Sequence, residues 1–242
     1  MGWHAAVMIA YDGREFTGSQ RQPSKDTVED ECIRALKRVH AIDSEKESRF
    51  RAGSRTDTGV SALCNVIAFE TGFKKRDRLL RALNAASETV YFYAYAEVGP
   101  EFSPRRAKQR WYRYFLPTEK KMDLDLMDRA AKEFVGKHDF KRFCRAEGKS
   151  TERTIDSITL TRLGDIVVIG ANTGLRLDDA GEHVHQVLVA FSDQFAPRFG
   201  DGRAGLGAAG AAAVFFAGSF EGFTGDDAVI RQIPAQDFGG LG

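Results

Sequence analysis

Several features are scarce in this sequence of 242 residues, and each absence excludes a class of protein. No long uncharged apolar run occurs, which argues against a membrane-spanning helix. The start, Met1-Gly2-Trp3-His4, lacks a basic stretch before an apolar core, so no signal peptide is expected. The three cysteines, Cys32, Cys64 and Cys144, are odd in number and far apart, which predicts reduced thiols and a cytoplasmic location.

The distribution of charge is more informative than its total. A net charge of +1 is no general signature of nucleic-acid binding. Basic and aromatic residues are nevertheless interleaved in one segment: Arg105, Arg106, Lys108, Arg110, Trp111, Tyr112, Arg113, Tyr114, Phe115, Lys120 and Lys121. Because basic groups bind phosphates and aromatic rings stack on bases, this segment predicts RNA binding. A solvated charged strand with its aromatic rings in the core accounts for the same local pattern.

Alternating strand and helix patterns predict an α+β protein with two units. In the first unit, strands are expected at 5–11 and 90–98, two strand segments within 51–68, and helices at 27–39 and 77–86. In the second, a strand is expected at 111–116, a helix at 123–135 and a hairpin at 157–169 around Gly164. The helix at 123–135 should bury Leu126, Ala130, Ala131 and Phe134.

The octet Gly53-Ser54-Arg55-Thr56-Asp57-Thr58-Gly59-Val60 is the most informative stretch. Side chains alternate along an extended chain, so Arg55 and Asp57 should point the same way. A guanidinium beside a carboxylate keeps the carboxylate ionised. The octet therefore predicts an anionic catalytic group at the end of a strand. Ordinary turns and solvated ion pairs have the same sequence pattern.

Asp57-Thr58-Gly59 is also the tripeptide of aspartic proteases. Those enzymes need two carboxylates that share one proton. Arg55 would oppose such sharing, and no second Asp-Thr-Gly or Asp-Ser-Gly occurs in the chain. A protease is therefore disfavoured.

Further blocks surround the octet in a fixed order: Tyr11-Asp12-Gly13, Gly18-Ser19-Gln20, Thr27-Val28-Glu29, Ser61-Ala62-Leu63-Cys64-Asn65-Val66, Arg81-Ala82-Leu83-Asn84-Ala85, Phe102-Ser103-Pro104-Arg105, Arg110-Trp111-Tyr112-Arg113-Tyr114, 134–140 and 151–155. In this order and spacing, over residues 5–172, the chain resembles the tRNA pseudouridine synthase A family, in its archaeal form. Each block alone is weak, but many blocks in register are specific.

The resemblance implies two ferredoxin-like (RRM-like) lobes whose sheets meet at a central RNA-binding cleft. Residues 1–103 would form the lobe with the catalytic Asp57, and 104–172 would begin the second lobe. The implied reaction isomerises uridine to pseudouridine at positions 38–40 of the tRNA anticodon arm. Arg55 and Tyr112 would then bind the substrate, and Arg105, Arg110 and Arg113 the RNA. The family needs no metal or other cofactor and implies a homodimer, with no membrane partner.

The C-terminal part departs from the family pattern. Leu177-Asp178-Asp179-Ala180 stands where the family has Met-Val-Arg, and residues 201–242 are rich in glycine and alanine. One choice of codons for these four residues, read one base later, encodes Trp-Met-Met-Arg. Residues 173–242 are thus either a frameshifted C-terminus or a divergent one, and a tRNA-binding remnant without activity is the alternative function.

Overall fold

The structure, a computed structural model, describes residues 2–23, 25–107, 109–118, 122–143, 150–174, 212–217 and 231–232. The chain divides into two compact units. The first comprises Met1–Lys108 and Ala217–Gly242, and the second comprises Gln109–Phe216. Antiparallel strand pairs and a few helices make up both units, which confirms the mixed α/β class.

Three long strands form the sheet of the first unit: β1 (Trp3–Tyr11), β3 (Ser61–Thr71) and β4 (Val90–Val98). Strand β1 lies in the centre and pairs antiparallel with β3 and β4. The two-residue strands β2 (Arg51–Ala52) and β11 (Arg231–Gln232) pair with β3 and β4 respectively. Alternate residues of β1 are fully buried, as period-two patterning requires.

Two helices accompany this sheet, α1 (Val28–Arg38) and α2 (Leu79–Ala86), with one turn of 3₁₀ helix before α2 at Arg76–Arg78. Thr27 caps α1, because its side chain accepts a hydrogen bond from the Asp30 backbone N–H. The buried residues of α1 include Val28, Cys32, Ala35 and Leu36.

In the second unit, β5 (Gln109–Pro117) pairs antiparallel with β9 (Ile166–Gly174), which pairs with β8 (Ser157–Leu163). Strand β10 (Ala212–Ala217) is hydrogen-bonded to β5. Strands β6 (Gly136–Asp139) and β7 (Glu152–Ile155) form a separate antiparallel pair. The predicted hairpin is confirmed, with Gly164 in its turn at φ +60°.

Helix α3 (Leu124–Lys132) corrects one expectation. Leu126 was predicted to be buried but is 49% exposed, whereas Met127 is 1% exposed. The Asp123 side chain caps α3 by accepting a hydrogen bond from the Leu126 backbone N–H. Met127 and Ala131, four residues apart, are buried on one face, and Leu126 points away from that face.

Some predicted features fall outside the described residues: Cys144, Lys108, Lys120, Lys121 and most of residues 173–242. Among the described residues, Cys32 and Cys64 form no disulfide. Of the helices in the described ranges, none is both long and apolar enough to cross a membrane.

Candidate active site

The loop between β2 and β3 holds Arg55 and Asp57 on the surface of the first unit. Residues 54–57 form no regular strand, although a strand was predicted there. Arg55 and Asp57 are exposed while Thr56 between them is buried, so the expected alternation of side chains is confirmed. A turn follows, in which the Val60 backbone N–H donates to the Asp57 carbonyl at 3.1 Å and Gly59 has φ +82°.

Thr56 anchors this loop through both its side chain and its backbone. Its Oγ1 lies 2.8 Å from the Tyr11 hydroxyl, at the end of β1. The Thr56 backbone N–H donates to Ser19 Oγ at 2.7 Å, and the Ser19 backbone N–H donates to the Thr56 carbonyl at 2.9 Å. Burial raises the pKa of Tyr11 to about 12, so its hydroxyl is protonated at neutral pH. Three buried hydrogen bonds therefore fix the residue between Arg55 and Asp57.

Asn65 of β3 holds the other side of the loop. Its Nδ2 donates to the Ser54 carbonyl at 2.8 Å, and its Oδ1 accepts from the Ser54 backbone N–H at 3.2 Å. Asn65 Nδ2 also lies 3.4 Å from the Tyr11 hydroxyl, which joins the two anchors into one buried network. At Gly53 a Cβ atom would lie 2.9 Å from Asn65 Oδ1, so only glycine allows this close approach.

A second close approach fixes the end of the loop. A Cβ atom on Gly13 would lie 2.3 Å from the backbone of Val60, which no larger residue can tolerate. The Gly13 backbone N–H donates to Ser61 Oγ at 3.0 Å. The segment after β1 therefore packs directly on the turn that follows Asp57.

Two further charged groups border this loop within the first unit. Arg105 is exposed, and its Nε points toward the Ala52 carbonyl at 3.5 Å, at the limit of a hydrogen bond. Glu29, in the first turn of α1, interacts electrostatically with Arg105 and Arg55. Burial raises the pKa of the Glu29 carboxyl, while the Arg21 backbone N–H and these two arginines act in the opposite direction.

The other three predicted residues lie on β5 in the second unit. Arg110 and Tyr112 are on its buried face, 6% and 7% exposed, and pair across the ladder with Thr173 and Ala171. Arg113 is exposed and lies on the opposite face. Since side chains alternate along a strand, Arg110 and Arg113 cannot both face the same ligand surface of this sheet.

The structure thus brings Arg55, Asp57 and Arg105 into one region of the first unit, and places Arg110, Tyr112 and Arg113 on one strand of the second. Sequence reasoning assigned no role to four residues of the supporting shell: Tyr11, Ser19, Glu29 and Asn65. Each lies in a block that the family resemblance identified, which was the available signal. In the part of the chain that the structure describes, no three His, Cys, Asp or Glu side chains are grouped to hold a metal.

Comparison with known proteins agrees with the resemblance. The chain is 43% identical over 166 residues to tRNA pseudouridine synthase A of Thermococcus sibiricus, covering 68% of this chain and 62% of that protein. It is 42% identical over 165 residues to the enzyme of the same name from Pyrococcus abyssi, covering 68% and 60%. Over the matched residues, the chain is similar to the tRNA pseudouridine synthase A family.

A sequence model of a protein family, described as tRNA pseudouridine synthase, matches residues 130–190 of the chain. This match extends past Asn172, where the resemblance was expected to end. The chain spans about 60% of the length of the curated relatives that it matches. Among solved structures, the archaeal box H/ACA sRNP Nop10-Cbf5 complex gives a TM-score of 0.43 at 13% identity, covering 87% of this chain and 47% of that one. That score is too low to establish a common fold.

Proposed function

We propose that this chain is a tRNA pseudouridine synthase that isomerises uridine to pseudouridine at positions 38–40 of the anticodon arm, with Asp57 as the catalytic carboxylate. The observation that carries the proposal is the loop that exposes Arg55 and Asp57 around the buried Thr56. Identity of 43% to an archaeal member of the family supports the same assignment.

The reaction requires a carboxylate in a defined place. The bond from N1 of uracil to C1′ of the ribose breaks, the base turns, and a bond from C5 to C1′ forms. The C5 proton leaves and N1 gains a proton, so no oxidant, reductant or further reactant is consumed. Asp57 would act on the sugar or on the ring, and a loop fixed by buried hydrogen bonds keeps its carboxylate in position.

Three arginines and one tyrosine complete the proposed site. Arg55 would stabilise the ionised carboxylate and help to hold the target nucleotide out of the helical stack. Tyr112 would stack on the target uracil. Arg105 and Arg113 would bind phosphates of the tRNA, with Arg113 the exposed member on β5, whereas Arg110 lies on the buried face of that strand.

The remaining parts of the proposal come from the family resemblance. They are two ferredoxin-like lobes around an RNA-binding cleft, a cytoplasmic homodimer, and tRNA as the partner. A second function follows from the C-terminal part, because Leu177-Asp178-Asp179-Ala180 stands where the family has Met-Val-Arg. It is a tRNA-binding remnant that lacks activity. Neither the similar relatives nor the matching family model supports an aspartic protease.

Release of tritium from a tRNA transcript labelled at C5 of uridine tests both functions, because forming the C5–C1′ bond expels the C5 hydrogen. The wild-type chain should release tritium from a transcript with uridines at 38–40 and none from one with cytidines there. Equal release from both would contradict the proposed positions. Binding of the transcript without release would establish the remnant, and neither binding nor release would overturn both functions.

A further inference from the structure

The sheet of the second unit buries one face and exposes the other. On the buried face, four residues of β5 and their partners on β9 are at most 7% exposed: Arg110, Tyr112, Tyr114 and Leu116, opposite Thr173, Ala171, Ile169 and Val167. The residues of β5 that alternate with them point the other way. Trp111 is 46% exposed there, and Arg113 is exposed two residues further along the strand. A large aromatic ring and a guanidinium group therefore share one open sheet face.

Strands β9 and β8 continue this open face. Cross-strand pairing adds two residues to the row of Trp111 and two to the row of Arg113, namely Asn172 and Ser157, and Gly170 and Thr159. Among the described residues of these three strands, Arg113 is the only charged residue on this face. A phosphate that approaches Arg113 along the face therefore meets no carboxylate of the same three strands.

Other exposed apolar residues lie at the far end of this face. Leu163 and Ile166, on either side of the hairpin turn, are 62% and 41% exposed, and Ile166 pairs with Pro117. Pro117 and Trp111 lie at opposite ends of β5, a separation of about 20 Å at the rise of a strand. The neighbours of Trp111 across β9 and β8 are instead polar. Trp111 is thus not part of a continuous apolar patch of the kind that marks a protein–protein interface.

The combination of ring and guanidinium suits an unpaired nucleotide. Every base has a π-face that can stack on an aromatic ring, and a guanidinium group binds a phosphate through two parallel hydrogen bonds. Alternate residues of a strand are about 7 Å apart, so one ligand can contact both Trp111 and Arg113. Paired bases keep their faces inside the helical stack, so the exposed ring requires a base from a single-stranded part of an RNA.

We propose that Trp111 stacks on an unpaired base of the tRNA and that Arg113 binds a phosphate beside that base. This inference rests on the proposed function for the identity of the RNA. Tyr112, which is assigned to the target uracil, lies on the opposite face of β5, so the two rings contact different bases. Trp111 is therefore a second base contact, which holds the tRNA without touching the target uridine.

Tryptophan fluorescence reports directly on this contact, because the chain has two tryptophans and the other, Trp3, is 4% exposed. The difference between the spectra of wild type and Trp111→Phe isolates the emission of Trp111. A tRNA transcript should quench that emission and protect it from quenching by acrylamide, whereas a fully paired RNA duplex should do neither. Unchanged Trp111 emission with saturating transcript would overturn the inference, even in an active enzyme. Equal quenching by the duplex would also overturn it, because no unpaired base would then be required.

Affinity separates stacking from an apolar interface. Trp111→Ala should weaken binding of the transcript about tenfold, the scale of losing one stacked base, and Trp111→Phe should retain most of the affinity. The matched control is Leu163→Ala, which removes another exposed apolar residue of the same face and should leave the affinity unchanged.

Two results would contradict the stacking role of Trp111. The first is wild-type affinity of Trp111→Ala for the transcript. The second is self-association of the wild type that Trp111→Ala abolishes, which would assign Trp111 to an interface between copies of the chain. Quenching of Trp111 without pseudouridine formation by the wild type would contradict only the proposed function.

Discussion

The hydroxyl of Tyr11 lies 2.8 Å from Oγ1 of Thr56, the buried residue between Arg55 and Asp57. Tyr11 ends the central strand of the first unit, and Thr56 belongs to an irregular loop, so this contact ties the loop to the central strand of the sheet. Asn65 Nδ2 completes the link at 3.4 Å from the same hydroxyl. The position of the proposed catalytic group therefore depends on a hydrogen bond whose partners are 45 residues apart.

Tyr11→Phe should lower both stability and activity. The substitution removes a hydroxyl that contacts two buried polar groups, and leaving such groups unpaired costs about 1–2 kcal/mol. The free energy of unfolding in urea and the rate of pseudouridine formation measure the two effects.

Tyr93→Phe is the comparison variant, since the Tyr93 hydroxyl donates to the Leu63 carbonyl of β3 at 3.2 Å and its side chain also bonds Cys64, outside the loop of residues 53–60. Its cost should be below about 1 kcal/mol, because an exposed hydrogen bond is readily replaced by water. If the two variants lost equal stability and equal activity, the Tyr11 hydroxyl would have no special role in holding the loop.

Asp57→Asn should abolish turnover while tRNA binding persists. The amide keeps the shape of the side chain but lacks the anionic oxygen, and loss of a principal catalytic group lowers rates by about a thousandfold or more. The loop should survive, because the Val60 N–H bonds to the backbone carbonyl of Asp57 and not to its side chain. Substantial tritium release by Asp57→Asn would refute the assignment.

Arg113→Ala and Arg110→Ala should have different effects, because the two residues lie on opposite faces of β5. The exposed Arg113 should contribute to phosphate binding, so its loss should weaken tRNA affinity and reduce the slope of log K against log salt by about one. Arg110 is 6% exposed, and its loss should mainly lower the melting temperature. A reduced salt slope for Arg110→Ala at unchanged stability would show that Arg110, and not Arg113, faces the RNA.

Glu29→Gln should stabilise the fold in a pH-dependent manner. Burial raises the folded-state pKa of Glu29 above its ordinary value of 4.5, so the folded state binds this proton more tightly than the unfolded state does. The stabilisation that comes from the protonated Glu29 is present below the ordinary pKa of 4.5. It is lost as the pH rises through the raised pKa of the folded state. The melting temperature of Glu29→Gln minus that of wild type should therefore increase from pH 4 to pH 7, whereas a constant difference would contradict the raised pKa.

Restoring the alternative reading frame after Asn172 should raise activity. This change would place Met-Met-Arg at the register of Leu177-Asp178-Asp179-Ala180, where the family has Met-Val-Arg. Sequencing the gene across codons 170–185 shows whether the frame is intact. If the reframed chain is no more active and no more stable than the present one, residues 173–242 are a divergent C-terminus.

Local patterns predicted most helices and strands, because the periodic spacing of apolar residues and the chemistry of helix caps depend on a few neighbouring residues. Strand 90–98 has the bounds that its alternation indicated. Helix α3 was placed correctly, but its buried face was assigned to Leu126 instead of Met127. The spacing of apolar residues in α3 allows a buried face that contains either Leu126 or Met127. Only packing against the rest of the unit selects one of them.

The sequence by itself determined the family, the chemical types at the site, and the opposite orientation of Thr56 to Arg55 and Asp57. These follow from residue order and from the alternation of an extended chain. Tertiary structure alone decided that Tyr11, Ser19 and Asn65 meet around Thr56. Such contacts join residues dozens of positions apart, and no local periodicity encodes them, because the pairing register of β1 with β3 and the placement of α1 bring them together.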